Sequence, residues 1–341
     1  MSHLSKSLRI LIAVGKVVLA LGIVGYLLVK IQGDAGFSRL VSEPKDWPYL
    51  AAALVMVLVS FTCSFVRWYL LVHGLGMQFL LSDAFRLGTL GFMLNQVMPG
   101  SVGGDLFKAA FIAHEQPGRR TEAVASVFID RFVGLVGMLV VASLGLLFAS
   151  DSLRKSPLLS GVEAIVWTAA VCGLGMLLLM TSRLVSGKKM QELLDKIPLV
   201  GHPLSQLSEG LANFRSKRGY LLAAFTLALT THCLLVSAFW CISRGLPITG
   251  PTFQENATIV PMALVAGALP LTPGGLGLTE TGLAKLFGTI GLRESNGAMV
   301  ALCYRALTYV VAALGAFYYI AAKKRIDKLL EEAEELAEEI G

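Results

Sequence analysis

Charge is scarce in this chain of 341 residues: only 15% are Asp, Glu, Lys or Arg, against roughly 25% in ordinary soluble domains. The polar stretch before the C-terminal tail, about 188–216, is too short for a large soluble domain. The five cysteines (Cys63, Cys172, Cys233, Cys241, Cys303) all fall inside apolar runs at no metal-ligand spacing. That pattern excludes a disulfide framework and reads them as small buried hydrophobes. No Gly-Lys-Ser/Thr completes Gly100-x-x-Gly103-Gly104 into a phosphate-binding loop, and no His-Glu-x-x-His or Asp-rich prenyl-transfer pattern occurs. The expectation is a protein that is not an enzyme, with no cofactor, no metal and no catalytic residue. Without an energy-coupling domain, any transport must run downhill or on an ion gradient.

What is present is apolar: 55% of the residues, with a mean hydropathy of +0.69. Six runs, residues 9–31, 48–72, 124–149, 158–181, 220–243 and 297–321, are long enough to cross a hydrocarbon core of about 30 Å. The first is too long for a signal-peptide core and no small-residue cleavage site follows it. Two further stretches, 84–98 and 256–270, are too short to cross, and each ends in Pro-Gly. They read as re-entrant hairpins, each followed by a second short helix (105–113 and 278–290). The expected fold is an all-α integral membrane protein with about six transmembrane helices and two re-entrant helical hairpins in an inverted repeat.

The basic residues sort to one side. With the N-terminus in the cytoplasm, Lys6, Arg9, Arg119, Arg120, Arg183, Lys188, Lys189, Lys196, Arg215, Lys217, Arg218, Lys323, Lys324 and Arg325 share the cytoplasmic face. Arg39, Lys45, Arg154, Lys155, Arg244 and Arg293 fall on the other. This bias places both termini in the cytoplasm. The net charge of +6 suits a face against anionic lipid. Basic residues that flank spans without interleaved aromatics do not read as nucleic-acid binding.

One phrase occurs twice. Pro99-Gly100-Ser101-Val102-Gly103-Gly104-Asp105 closes one broken segment, and Pro273-Gly274-Gly275-Leu276-Gly277-Leu278-Thr279-Glu280 closes the other. An arginine follows each proline by 32 residues: Arg131 and Arg305. Three expected spans separate the segments, and an odd number inverts the second copy. Matched Gly/Pro interruptions in two inverted halves point to a binding site near the midplane, because broken backbone at that depth is tolerated only against protein or a polar cavity. The halves cover about 1–150 and 158–322, joined through an interfacial amphipathic helix at about 188–216. Residues 323–341 form a separate acidic amphipathic helix.

An ionisable group within a span costs about 2.5–3.5 kcal/mol on insertion scales and defaults to a functional hypothesis. Arg131 and Arg305 are the leading candidates, since a guanidinium holds phosphate bidentately at any relevant pH. The alternative is structural: Asp130 neutralises Arg131, and Arg305 caps carbonyls freed by the break. The helix starts after each Pro-Gly, with Ser101 and Thr279 nearby, offer unpaired N–H groups to an anion. Asp105 and Glu280 either pair with the arginines, meet a cation on the substrate, or cap their helices. Lys108 and Lys285 either contact phosphate or snorkel to the interface, and Arg67 reads as an interface anchor.

The two motifs, with Lys108 after the first and Glu280 closing the second, resemble the flippase-like family of the lysylphosphatidylglycerol synthase transmembrane domain, over nearly the whole chain to about residue 322. The resemblance implies a stand-alone member without the synthase domain, in a prokaryotic cytoplasmic (inner) membrane. It would move an anionic or aminoacylated phospholipid, or a polyprenyl-phosphate-linked lipid, between leaflets. The substrate site would comprise Arg131, Arg305, Pro99, Gly100, Ser101, Gly103, Gly104, Asp105, Lys108, Asp130, Pro273, Gly274, Gly275, Gly277, Thr279 and Glu280. Its partners would be membrane lipids, with a partner synthase as a further candidate. The rival readings are a carrier of a small soluble anion and a scaffold for such a synthase.

Overall fold

The structure, a computed structural model, describes residues 22, 25, 26, 29, 35–97, 103–116, 118–149, 157–180, 217–268 and 272–322. The expected first span, the interfacial helix at 188–216, the tail at 323–341 and the Pro99-Gly100-Ser101 turn lie outside these, apart from the four isolated residues of the first span. Among the described residues the chain is helical, with no strand.

Among the described residues ten α-helices follow in order. They are α1 (Ala35–Ser42), α2 (Trp47–Gly74), α3 (Leu81–Val97), α4 (Gly103–Glu115), α5 (Arg120–Leu147), α6 (Pro157–Met180), α7 (Arg218–Gly245), α8 (Phe253–Ala268), α9 (Leu278–Thr289) and α10 (Glu294–Ala321). Five of them, α2, α5, α6, α7 and α10, are long and apolar enough to cross a membrane. The 28 residues of α2 reach about 42 Å at 1.5 Å per residue, more than the hydrocarbon thickness. The 17 residues of α3 and 13 of α4 reach only about 25 and 20 Å. The same holds for α8, of 16 residues, and α9, of 12.

The lengths recur in sequence order. Helices α2, α3, α4 and α5 have 28, 17, 13 and 28 residues; α7, α8, α9 and α10 have 28, 16, 12 and 28. The two leading helices pack against each other and run antiparallel. At one end the Asp46 N–H donates to the Gly245 carbonyl (3.0 Å), and at the other the Lys217 ammonium donates to the His73 carbonyl (3.2 Å). Halfway along, the Thr231 hydroxyl points at the Ser60 carbonyl (3.5 Å). Antiparallel equivalents are what an inverted repeat requires.

The remaining helices exchange partners between halves. The hairpin of α3 and α4 lies on α5 of its own half and on α10 of the other; α8 and α9 lie on α10 and on α5. Glycine makes the close crossings. A Cβ on Gly315 of α10 would run into the Thr89 carbonyl of α3, and one on Gly145 of α5 into the Ala257 carbonyl of α8. The Thr258 hydroxyl donates to that same Gly145 backbone (2.8 Å).

Two apolar clusters fill the interior, and each draws on both halves. One is built around Trp68, Phe107, Ile112 and Ile129, the other around Phe239, Ile242, Phe287 and Leu146. Trp68 and Phe239 are both fully buried, each six residues ahead of the glycine that ends its helix. The cysteines are all free, but Cys172 and Cys233 are exposed, so they face outward from spans rather than into the core.

Candidate functional site

The second Pro-Gly turn is a run of left-handed backbone. Gly274, Gly275 and Gly277 have φ of +56°, +67° and +84°, a region that costs any side chain with a Cβ and suits glycine. The chain thereby leaves α8, makes one 3-10 turn (Pro273–Gly275) and starts α9 immediately. Glu280, in the first turn of α9, reaches back to accept the Gly277 N–H (2.7 Å), the carboxylate half of a capping box.

The other carboxylate oxygen of Glu280 accepts Nε of Arg305 at 2.7 Å. All three nitrogens of Arg305 are engaged: Nη1 also donates to the Gly274 carbonyl (2.8 Å) and Nη2 to the Gly275 carbonyl (3.2 Å). One guanidinium therefore holds a carboxylate and two carbonyls that the turn releases from helical bonding. Its side chain is 9% exposed, and that of Glu280 is 1% exposed. The carbonyl-capping alternative describes Arg305 here, with Glu280 as its counter-ion.

Arg131 makes the matching bond in the other half. Its Nε and Nη2 each donate to an Asp105 oxygen, both at 2.8 Å, a bidentate pair. Asp105 stands in the first turn of α4 as Glu280 stands in that of α9. Exposure differs: the Arg131 side chain is 56% exposed. Phe128 and Leu135, three residues before and four after on α5, are exposed with it, so the guanidinium opens through an apolar stripe.

Asp130 turns away from its neighbour. It is bound bidentately by Arg67 of α2, at 2.7 Å to Nε and 3.1 Å to Nη2, and both side chains are buried. Arg67 is thus a buried cation, not the interface anchor expected, because α5 presents Asp130 to α2 and Arg131 to α4. Gly134 leaves room for it: a Cβ there would sit 3.1 Å from Nη1 of Arg67. The Gly134 carbonyl meets Nε2 of His232 at 3.1 Å. Sequence separation of 63 residues hid this pair. The available signal was that adjacent helical residues do not face each other, so Asp130 needed a cation other than Arg131.

Lys108 does not snorkel. Its side chain is 12% exposed, with Nζ 3.8 Å from Asp105 Oδ1 and 5.1 Å from the centre of the Trp68 ring. Lys285, by contrast, is exposed and bonded to Glu294 at 2.8 Å, away from the turns.

The two breaks meet. Asn95 near the end of α3 accepts the Gly104 N–H (2.9 Å), closing the first hairpin. Its neighbour Gln96 lies against the second turn, where a Cβ on Gly274 would run into the Gln96 side-chain amide. A continuous path of contacts therefore joins Arg131, Asp105, Gly104, Asn95, Gln96, Gly274 and Arg305. Gly103, Gly104 and Lys108 belong to it through α4; Gly275, Gly277, Thr279 and Glu280 belong to it through α9. Thr279 is buried against Gly267. Pro99, Gly100 and Ser101 lie outside the described residues. Among the described residues, no group of three or more His, Cys, Asp or Glu side chains could hold a metal ion.

The sequence matches the family model described as the lysylphosphatidylglycerol synthase TM region over residues 12–315. It is 24% identical over 322 residues to the UPF0104 membrane protein PH1989 of Pyrococcus horikoshii, covering 86% of this chain and 93% of that one. It is 21% identical over 294 residues to the UPF0104 membrane protein MJ1595 of Methanocaldococcus jannaschii, covering 82% and 86%. No solved structure matches it.

Proposed function

The chain belongs to the lysylphosphatidylglycerol synthase TM region family, and from that premise we propose that this multi-pass membrane protein moves a phosphate-bearing lipid between bilayer leaflets. The observation that carries the proposal is Arg131. It is the twelfth residue of α5, about 17 Å along a helix that spans the bilayer. A guanidinium exposed at that depth is costly against hydrocarbon alone. It is at home against the phosphate of a lipid whose acyl chains run along the apolar stripe of Phe128 and Leu135.

Lipid would enter sideways at that stripe, with its phosphate on Arg131 and the start of α4. The second half supplies the mirror site at Arg305, Gly274, Gly275, Gly277 and Glu280, closed in this conformation. Opening one half while the other closes would carry the headgroup past the meeting point of the hairpins, as inverted repeats allow. No bond is made or broken in this scheme, so the protein acts as a carrier and not as an enzyme. In this reading it sits in a prokaryotic cytoplasmic membrane with both termini in the cytoplasm, where a partner synthase could supply the lipid.

The test is translocation of a fluorescent phospholipid in proteoliposomes, read by its quenching from outside. The expected result is translocation by the intact chain and its loss in Arg131→Ala. Unchanged translocation in that variant rejects the role of Arg131, and none by the intact chain rejects the carrier reading for that lipid.

A further inference from the structure

The charges at the meeting point constrain the headgroup. Four cations (Arg67, Lys108, Arg131, Arg305) face three carboxylates (Asp105, Asp130, Glu280). Every carboxylate oxygen already accepts one hydrogen bond, and each carboxylate is paired with an arginine. Both oxygens of Asp105 hold Arg131, both of Asp130 hold Arg67, and Glu280 divides its two between Arg305 and the Gly277 N–H. A substrate ammonium would have to share its carboxylate with a resident cation.

The cations are not all used. Lys108 is nearly buried, yet its ion pair among the described residues, with Asp105 Oδ1 at 3.8 Å, is longer than a hydrogen bond. Its other neighbour is the Trp68 ring face, which attracts the charge but accepts none of its three protons conventionally. Nη1 of Arg131 likewise makes no hydrogen bond among the described residues. Both approach the same oxygen, Asp105 Oδ1, Lys108 from α4 and Arg131 from α5. Between them they offer unused donors and one surplus positive charge.

Resting on the carrier reading above, we propose that the substrate is a lipid whose headgroup is a singly charged phosphodiester without an ammonium group, and that Lys108 is the residue that selects it. The diester's charge would match the surplus one, with one phosphate oxygen on Lys108 Nζ and the other on Arg131 Nη1. An aminoacylated headgroup would bring an ammonium to a site whose carboxylates are all paired with arginines and whose net charge is already positive. It would be rejected by like-charge repulsion. The family's descriptive name mentions a lysyl lipid, so this is a difference within the family.

The experiment is binding to the full-length protein in detergent, by calorimetry, of three probes: short-chain phosphatidylglycerol, short-chain lysylphosphatidylglycerol and inorganic phosphate. Phosphatidylglycerol is expected to bind at least about tenfold more tightly than the lysyl lipid, the scale of one charge-assisted contact. Lys108→Gln is expected to remove that preference by weakening phosphatidylglycerol, and Lys108→Arg to retain it, which separates charge from folding. Equal or tighter binding of the lysyl lipid overturns the proposal while leaving a lipid carrier intact. So does an undiminished preference in Lys108→Gln. Binding of inorganic phosphate with neither lipid overturns both this proposal and the carrier reading.

Discussion

Arg131 and Arg305 are each the twelfth residue of a 28-residue helix, and each binds a carboxylate in the first turn of the short helix before it. They differ in one respect: the Arg131 side chain is 56% exposed and that of Arg305 is 9% exposed. Equivalent positions in an inverted repeat thus hold inequivalent states. One arginine is an open contact point, the other a plug within its own turn.

The plug carries a stability prediction. Arg305→Ala would strand Glu280, which is fully buried, and free two turn carbonyls. Breaking a buried pair by removing one partner costs about 3–5 kcal/mol. The variant is expected to melt well below the parent in a detergent thermal scan. Arg305→Lys is expected to recover little, since a single ammonium cannot reproduce the planar fork that reaches the carboxylate and both carbonyls. A melting temperature unchanged in Arg305→Ala would contradict the bonding of Arg305 to this turn.

Arg131→Ala should behave differently. Its side chain is more than half exposed, and Lys108 remains 3.8 Å from Asp105 as a second cation, so the loss is expected to be smaller than in Arg305→Ala. The expected outcome is a smaller shift in melting temperature together with loss of lipid translocation. A large loss of stability with normal translocation would reverse the roles assigned to the two arginines.

The fold was largely legible because its signals are long-range repeats of simple kinds. Apolar runs long enough to cross, two Pro-Gly interruptions and a shared interval to an arginine suffice to place α2 to α10 within a few residues. The Trp68–Gly74 and Phe239–Gly245 spacings mark the ends of the two helices that pair antiparallel. Side-chain partners were less legible. Arg131 and Arg305 are the same residue at the same spacing, so nothing in the sequence distinguishes the open one from the closed one; that difference is a property of the conformation. Arg67 looked like an anchor because hydropathy places it near a helix end, whereas the burial that α5 and Asp130 impose depends on how α2 and α5 pack. Lys108 misled for the same reason, since snorkelling assumes an exposed stem and Trp68 covers this one.

The Arg67–Asp130 pair predicts strong non-additivity. Arg67→Met or Asp130→Leu alone leaves a buried charge without its partner, and each is expected to destabilise by about 3–5 kcal/mol. The double variant replaces the pair with apolar side chains and is expected to regain most of that loss, because the desolvation of two charges disappears with them. Thermal melts of the four proteins in one detergent measure the coupling. Additive losses would mean that the two residues do not act as a pair.

The hairpins themselves can be tested at their glycines. Gly104 faces the backbone of Gly91, and Gly267 faces the Thr279 side chain, so that a Cβ at either position would overlap its neighbour. At Gly104 the obstacle is a carbonyl, which cannot rotate aside as a side chain end can. Gly104→Ala must therefore push α3 from α4, and overpacking of this kind costs about 1–3 kcal/mol or more. Gly161 and Gly175 of α6 have nothing within 4 Å of a Cβ, and there alanine would gain about 1 kcal/mol of helix propensity. The expected order of melting temperatures is Gly161→Ala and Gly175→Ala at or above the parent, with Gly104→Ala clearly below it. Since Gly104 N–H also closes the hairpin through Asn95, Gly104→Ala should disturb the start of α4 and lower translocation too. Asn95→Asp keeps the acceptor and should retain the fold better than Asn95→Leu, which leaves that N–H unpaired. If Gly104→Ala matches the parent in both melting and translocation, α3 and α4 are not packed as a tight re-entrant pair.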